Sequence, residues 1–226
     1  MEAIVLAGGF GTRLQSVVSD VPKPMAPVAD KPFLEYILKY LKKNGVKRVI
    51  LSVGYKWEVI RDYFGENFGE LELIYSVEDE PLGTGGAIKK AINLVENENF
   101  YVINGDTFFN IDLFKLKLID GSMLQLSLKK MYDFDRYGCV EINDKTVTSF
   151  LEKSYQKDGN INGGIYMVSK KIFDTFRLEK QFSFEEFMQK NINELKITAY
   201  IFDDYFIDIG IPQDYEKVQN EIRNYI

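Results

Sequence analysis

Short apolar runs and amphipathic stretches alternate from Ala3 to Asn104, and this alternation constrains the fold more than any other feature. Ala3-Ile-Val-Leu-Ala7, closed by Gly8-Gly9, has the pattern of a strand buried on both faces. Phe33, Leu34, Ile37, Leu38 and Leu41 follow at helical spacing, with Gly45 where a helix-ending glycine belongs. The pattern then predicts a strand over Arg48–Val53, a helix over Lys56–Phe64, a strand over Leu71–Ser76, a helix over Gly86–Val95 and a strand over Phe100–Asn104. Residues 8–32 read as a long loop rich in Gly and Pro. Strand-helix alternation with short links calls for a parallel sheet and right-handed crossovers.

The rhythm changes after Asp106. Short strands are predicted at Met123–Lys130, Cys139–Ile142, Val147–Leu151, Gly164–Val168 and Thr198–Phe202, in a mixed or antiparallel arrangement. Ser183 and Glu186 form a capping box ahead of a helix, and Pro212 opens a last helix running to about Arg223. The fold class is α/β: a Rossmann-like mixed, mainly parallel sheet flanked by helices, with a smaller mixed-strand lobe. No linker or repeat divides the chain, so residues 1–226 are expected to form one domain, with halves at about 1–110 and 111–226. In such sheets ligands bind at the carboxyl ends of the strands.

Composition excludes several chemistries. The 28 Lys and Arg against 34 Asp and Glu give a net charge of −6, and no basic stretch offers a nucleic-acid footprint. The absence of histidine removes Ser–His and Cys–His nucleophile systems and most zinc chemistry. Cys139 is the single cysteine and reads as a small buried residue in a reducing compartment. No apolar run approaches the roughly 20 residues of a membrane span. Met1–Ala7 lacks the basic head of a signal peptide, so a cytoplasmic protein with no membrane partner is expected.

Leu6-Ala-Gly-Gly-Phe-Gly-Thr-Arg-Leu14 follows the first strand directly. Its glycines let backbone amides approach phosphate oxygens, and Arg13 adds a planar, always-charged fork. The P-loop and dinucleotide spacings both fail here. A glycine turn that merely packs is the plain alternative. Lys23 stands between Pro22 and Pro24, which restrict the backbone that presents it; an exposed loop lysine is its plain reading. Asp106 closes the fourth strand, where it either caps the next segment or holds Mg²⁺ against phosphate oxygens. Asp208 sits among Phe206, Ile207 and Ile209, where an unpaired charge is costly; a metal or a capping bond would satisfy it.

Gly8-Gly-Phe-Gly-Thr-Arg-Leu14, Pro22-Lys-Pro24 and Lys31-Pro32 together resemble the sugar-1-phosphate nucleotidylyltransferases, over nearly the whole chain. The resemblance implies a nucleotide-diphospho-sugar transferase fold, with the nucleotide in the first half and the sugar phosphate in the second. It implies attack of a sugar 1-phosphate on the α-phosphorus of a nucleoside triphosphate, releasing pyrophosphate. It also implies catalytic roles for Arg13, Lys23 and Asp106, and Mg²⁺ held by Asp106 and Asp208. Nucleotide contacts would come from Leu6, Ala7, Gly8, Gly9, Gly11, Thr12, Arg13, Lys23, Glu78, Pro81, Gly83, Thr84 and Asp106. The sugar phosphate would meet Gly105, Gly138, Glu152, Lys153, Asn162 and Gly163, with Lys153 on the phosphate, Glu152 and Asn162 on hydroxyls, and Gly138 and Gly163 leaving room for the ring.

Members of the family use an acidic residue or glutamine at the position of Glu78 to touch the base. Guanine offers adjacent N–H and NH₂ donors that one carboxylate accepts, so Glu78 favours GTP. The alternative is a solvated acidic loop at Glu78, Asp79 and Glu80. Asp20-Val-Pro-Lys-Pro-Met-Ala-Pro27 resembles most the branch that couples GTP to a heptose 1-phosphate for surface polysaccharide precursors. Mannose, glucose or N-acetylmuramate 1-phosphate with another nucleotide is the alternative. A sugar-nucleotide sensor without turnover is disfavoured, because Arg13, Lys23, Asp106 and Asp208 are all present. Assembly is left open, a homodimer among the options.

Overall fold

The structure, a computed structural model, describes residues 1–9, 21–119 and 121–226. In chain order the strands are β1 (Glu2–Leu6), β2 (Pro27–Val28), β3 (Lys31–Pro32), β4 (Arg48–Val53), β5 (Asn67–Phe68), β6 (Leu71–Val77), β7 (Asn99–Asn104), β8 (Thr107–Phe109), β9 (Leu124–Phe134), β10 (Val140–Asn143), β11 (Thr146–Phe150), β12 (Gln156–Ser169), β13 (Thr198–Phe202) and β14 (Phe206–Asp208). The helices are α1 (Phe33–Lys43), α2 (Trp57–Phe64), α3 (Gly83–Ala91), α4 (Phe184–Lys190), α5 (Ile192–Leu195) and α6 (Pro212–Glu221).

A 10-stranded sheet runs β10-β11-β13-β9-β12-β7-β1-β4-β6-β5. Its β7-β1-β4-β6 portion is parallel, with Ile4 paired to both Ile50 and Val102. That central place explains the unbroken apolar run of β1, where Ala3, Ile4 and Val5 are fully buried. Alternate residues serve opposite faces. Val5 packs with Leu34, Leu38 and Leu41 of α1, whereas Ile4 packs with Ile88 of α3 and Phe184 of α4. The mixed-strand half continues the same sheet: β12 lies antiparallel to β7 and β9, and β13 parallel to β9. The expected mixed α/β sheet flanked by helices is therefore present. Among the described residues, no helix is long and apolar enough to cross a membrane.

Two of the departures from the sequence pattern fall at glycines. β12 begins at Gln156, not at Gly164. Gly159 and Gly163 hide it because glycine weakens strand propensity, yet each marks a close approach. A Cβ at Gly159 would lie 2.6 Å from Cys139 Sγ, and one at Gly163 would lie 2.6 Å from the Phe109 ring. Helix α3 begins at Gly83 rather than Gly86 and stops at Ala91, where a 3₁₀ turn takes over. Its glycines are poor helix formers. They persist because Gly83 and Gly85 leave the space that Phe182 fills.

The segment after Lys23 is held from the far end of the chain. β2 and β3 pair through a tight turn with positive φ at Ala29 (45°) and Asp30 (78°). From α6, Gln219 accepts from the Ala29 N–H at 2.9 Å and donates to the Pro27 carbonyl at 3.0 Å; the Tyr215 hydroxyl also donates to Pro27.

Glu2 is buried at 3% exposure and knots the amino-terminal edge. It takes Arg48 at 2.5 Å, and the Glu96 and Asn97 backbone N–H groups at 2.9 and 2.6 Å. Burial works to raise its pKa, but these hydrogen bonds outweigh it and hold the carboxyl below its usual value. A depressed carboxyl stabilises the fold above its unfolded pKa, and that contribution is lost as pH falls through the folded pKa. Glu2→Gln is expected to cost about 2 kcal/mol at pH 7. Urea melts of both proteins should show the gap closing as pH falls below the reference value of 4.5.

Candidate active site

β1 ends at Leu6, and the chain is pinned there by two neighbours. Ala7 N–H donates to the Ser52 carbonyl at 2.7 Å, and Gly105 N–H to the Leu6 carbonyl at 2.9 Å. Gly105 is required by this approach, since a Cβ would overlap the Leu6 carbonyl oxygen. The next residue, Asp106, thereby stands at the carboxyl edge of the sheet. A cleft of about 400 Å³ opens at this edge, lined by Leu6, Gly8, Gly9, Lys23, Glu78, Pro81, Gly83, Thr84, Gly105 and Asp106 among others.

A two-stranded ladder brings the second carboxylate in. β14 pairs antiparallel with β8, placing Asp208 opposite Thr107, and Ile209 N–H donates to the Asp106 carbonyl at 3.0 Å. Lys23 Nζ lies 2.6 Å from Asp106 Oδ2 and 4.0 Å from Asp208 Oδ1. Asp208 Oδ1 also accepts from Gly210 N–H at 2.7 Å. Burial, then the Asp106 charge, push the Asp208 carboxyl above its usual value, against the opposing pull of Lys23, Gly210 and Arg136. Among the described residues, no group of three or more Asp, Glu, His or Cys side chains is arranged to hold a metal ion by itself. The pair of hard oxygen donors, one of them 38% exposed, is the kind of set that magnesium shares with phosphates and water.

Glu78 is not a solvated loop acid. Its Oε2 accepts from Leu82 N–H at 3.0 Å and its Oε1 from Ser52 Oγ at 3.2 Å, while Asp79 and Glu80 are exposed. Gly8 lies against it: a Cβ there would come within 2.8 Å of Oε1. Thr84 Oγ1 accepts from Phe184 N–H at 2.8 Å and donates to Glu185 Oε2 at 3.1 Å.

The acceptor-side residues are placed differently. Gly138, Glu152, Lys153, Asn162 and Gly163 are not among the residues lining the cleft. Glu152 and Lys153 are exposed just beyond β11. The Asn162 amide is engaged within the protein, donating to the Tyr166 hydroxyl at 2.8 Å and accepting from Gly164 N–H at 3.1 Å. Gly138 and Gly163 are each in close contact within the protein. The space a Cβ would need is taken by the Leu151 carbonyl at Gly138, and by Phe109 and Ser127 at Gly163. Gly11, Thr12 and Arg13 lie outside the described residues. Sequence reasoning missed Asn104 and Glu185, which also line the cleft. Asn104 adjoins Gly105-Asp106 and was within reach. Glu185 had no local signal, because the packing of α4 on α3 brings it there.

Residues 2–225 match the sequence model of a family described as Nucleotidyl transferase. A Campylobacter jejuni protein named D-glycero-alpha-D-manno-heptose 1-phosphate guanylyltransferase is 59% identical over 216 residues, covering 95% of this chain and 97% of its own. The chain belongs to the nucleotidyl transferase family. A protein of the same name from Aneurinibacillus thermoaerophilus is 52% identical over 100% of both chains. The crystal structure of HddC from Yersinia pseudotuberculosis, complexed with GMP-PN, superimposes on this nucleotidyltransferase with a TM-score of 0.83 at 41% identity, covering 97% of this chain and 98% of the other. Its structural neighbours share the nucleotide-diphospho-sugar transferase fold.

Proposed function

We propose that this nucleotidyltransferase condenses GTP with D-glycero-α-D-manno-heptose 1-phosphate, giving GDP-heptose and pyrophosphate in the cytoplasm, where GTP is made. The meeting of Lys23 and Asp106, which line the cleft, with Asp208 at 4.0 Å from the Lys23 ammonium carries the reading. The guanylyltransferase names of its relatives support the choice of substrates.

Gly8 and Gly9 line the cleft, where their backbone can approach the triphosphate, and Arg13 is the guanidinium proposed to act on it. Lys23 is presented at 13% exposure, so its ammonium keeps its position and its charge acts in a partly dry site. Asp106 and Asp208 are the residues that would hold Mg²⁺. When bound, the ion would neutralise charge on the phosphates. The sugar phosphate is already an anionic nucleophile, so this chain needs no general base, in keeping with the absence of histidine. Lys153 neutralises the acceptor phosphate. Glu78 accepts the N1–H and NH₂ donors of guanine on the lone pairs that Leu82 and Ser52 leave over.

A matrix of GTP, dTTP, UTP and CTP against a panel of sugar 1-phosphates, read as pyrophosphate release, tests the assignment. GTP is expected to exceed each pyrimidine nucleotide by about 10²-fold in kcat/KM, because the carboxylate meets no matching pair of donors on those bases. A higher rate with a pyrimidine nucleotide would defeat the role given to Glu78. GTP binding without pyrophosphate release under any sugar phosphate would defeat the reaction.

A further inference from the structure

Three consecutive residues between β9 and β10 each touch a different part of the site. Arg136 Nη2 lies 2.9 Å from Asp214 Oδ2, in the first turn of α6, the helix that follows directly from the Asp208–Gly210 turn. The Tyr137 ring packs edge-on against Phe206, two residues before Asp208, with centroids 6.2 Å apart. Arg136 also stands over the Tyr137 ring, at 5.3 Å from its centroid. Gly138 abuts the Leu151 carbonyl so closely that no Cβ fits, and Leu151 N–H donates to the Cys139 carbonyl at 2.7 Å. The two residues after Leu151 are Glu152 and Lys153, the acceptor clamp of the reading above.

The segment therefore joins the Asp208 strand to the acceptor clamp through unbroken contacts. We propose that Arg136 is a positioning residue for the acceptor. Through Asp214 and Tyr137 it fixes the Gly138–Leu151 contact, and with it the distance between Asp208 and the Glu152–Lys153 pair. The inference rests on the sugar-phosphate reading of that pair. Arg136 is 39% exposed and Asp214 23%, so the ion pair itself contributes little to stability. Its effect lies in geometry, through how well the acceptor is held in place.

The test is steady-state kinetics of Arg136→Gln, Arg136→Lys, Asp214→Asn and the Gln/Asn double variant, varying GTP and the best sugar 1-phosphate separately. Arg136→Gln is expected to raise KM for the sugar phosphate about tenfold, with KM for GTP within about twofold. Arg136→Lys should recover part of the loss, and the double variant should be no worse than Arg136→Gln alone, as for two ends of one link. If Arg136→Gln fails to fold, Asp214→Asn carries the same expectation. Equal changes in both KM values, or no change in either, would overturn the proposal while wild-type turnover left the functional reading standing. A wild-type protein that turns over no sugar phosphate would overturn both.

Discussion

Asp106→Asn is expected to lower kcat by about 10²–10³-fold while leaving the protein folded. The backbone role of this residue survives the change, since its carbonyl still accepts from Ile209 N–H. What is lost is one negative oxygen from the pair facing Lys23. Stability is expected to hold within about 1 kcal/mol, because the lost ion pair is partly solvated and the repulsion between Asp106 and Asp208 disappears with it. Stopped assays of pyrophosphate release, beside a urea melt, separate the two effects. Near-normal turnover with magnesium would remove Asp106 from the chemistry.

Lys23→Met is the companion experiment, with an expected loss of about 10²–10³-fold in kcat/KM. Methionine is an unbranched side chain that keeps most of the stem buried at this position. The charge is what goes. Asp106 and Asp208 then face each other without the ammonium, and the fold should weaken by about 1 kcal/mol, since both carboxylates keep some solvent. Added magnesium with GTP should restore that stability but not the rate. A variant whose rate is lowered less than threefold would show that Lys23 serves only as a counter-ion.

The chemistry-bearing strand ends were legible in the sequence because burial there is simple. β4 and β13 have the bounds their apolar runs predict, and β1 falls within one residue of them. Asp106 could be placed from its position just past β7, at the edge where such sheets bind ligands. The meeting of Asp106 and Asp208 could not. It depends on two strands of three residues, β8 and β14, and nothing local announces their pairing. The packing at Gly163 was hidden for a related reason: the ring that fills the place of its missing Cβ is Phe109, far away in the chain. The bonds of the Asn162 amide to Tyr166 and Gly164 likewise have no signal in the sequence. Glu78 shows the converse, an acid in a charged run that three separate segments fix in place.

The central claim is that Asp106 and Asp208 act together on one divalent ion beside the triphosphate. Anomalous diffraction from crystals grown with Mn²⁺ and a non-hydrolysable GTP analogue measures this directly. The account predicts one peak within about 2.3 Å of a carboxylate oxygen from each aspartate, in contact with phosphate. A peak elsewhere, or either aspartate turned away from the nucleotide, would contradict it.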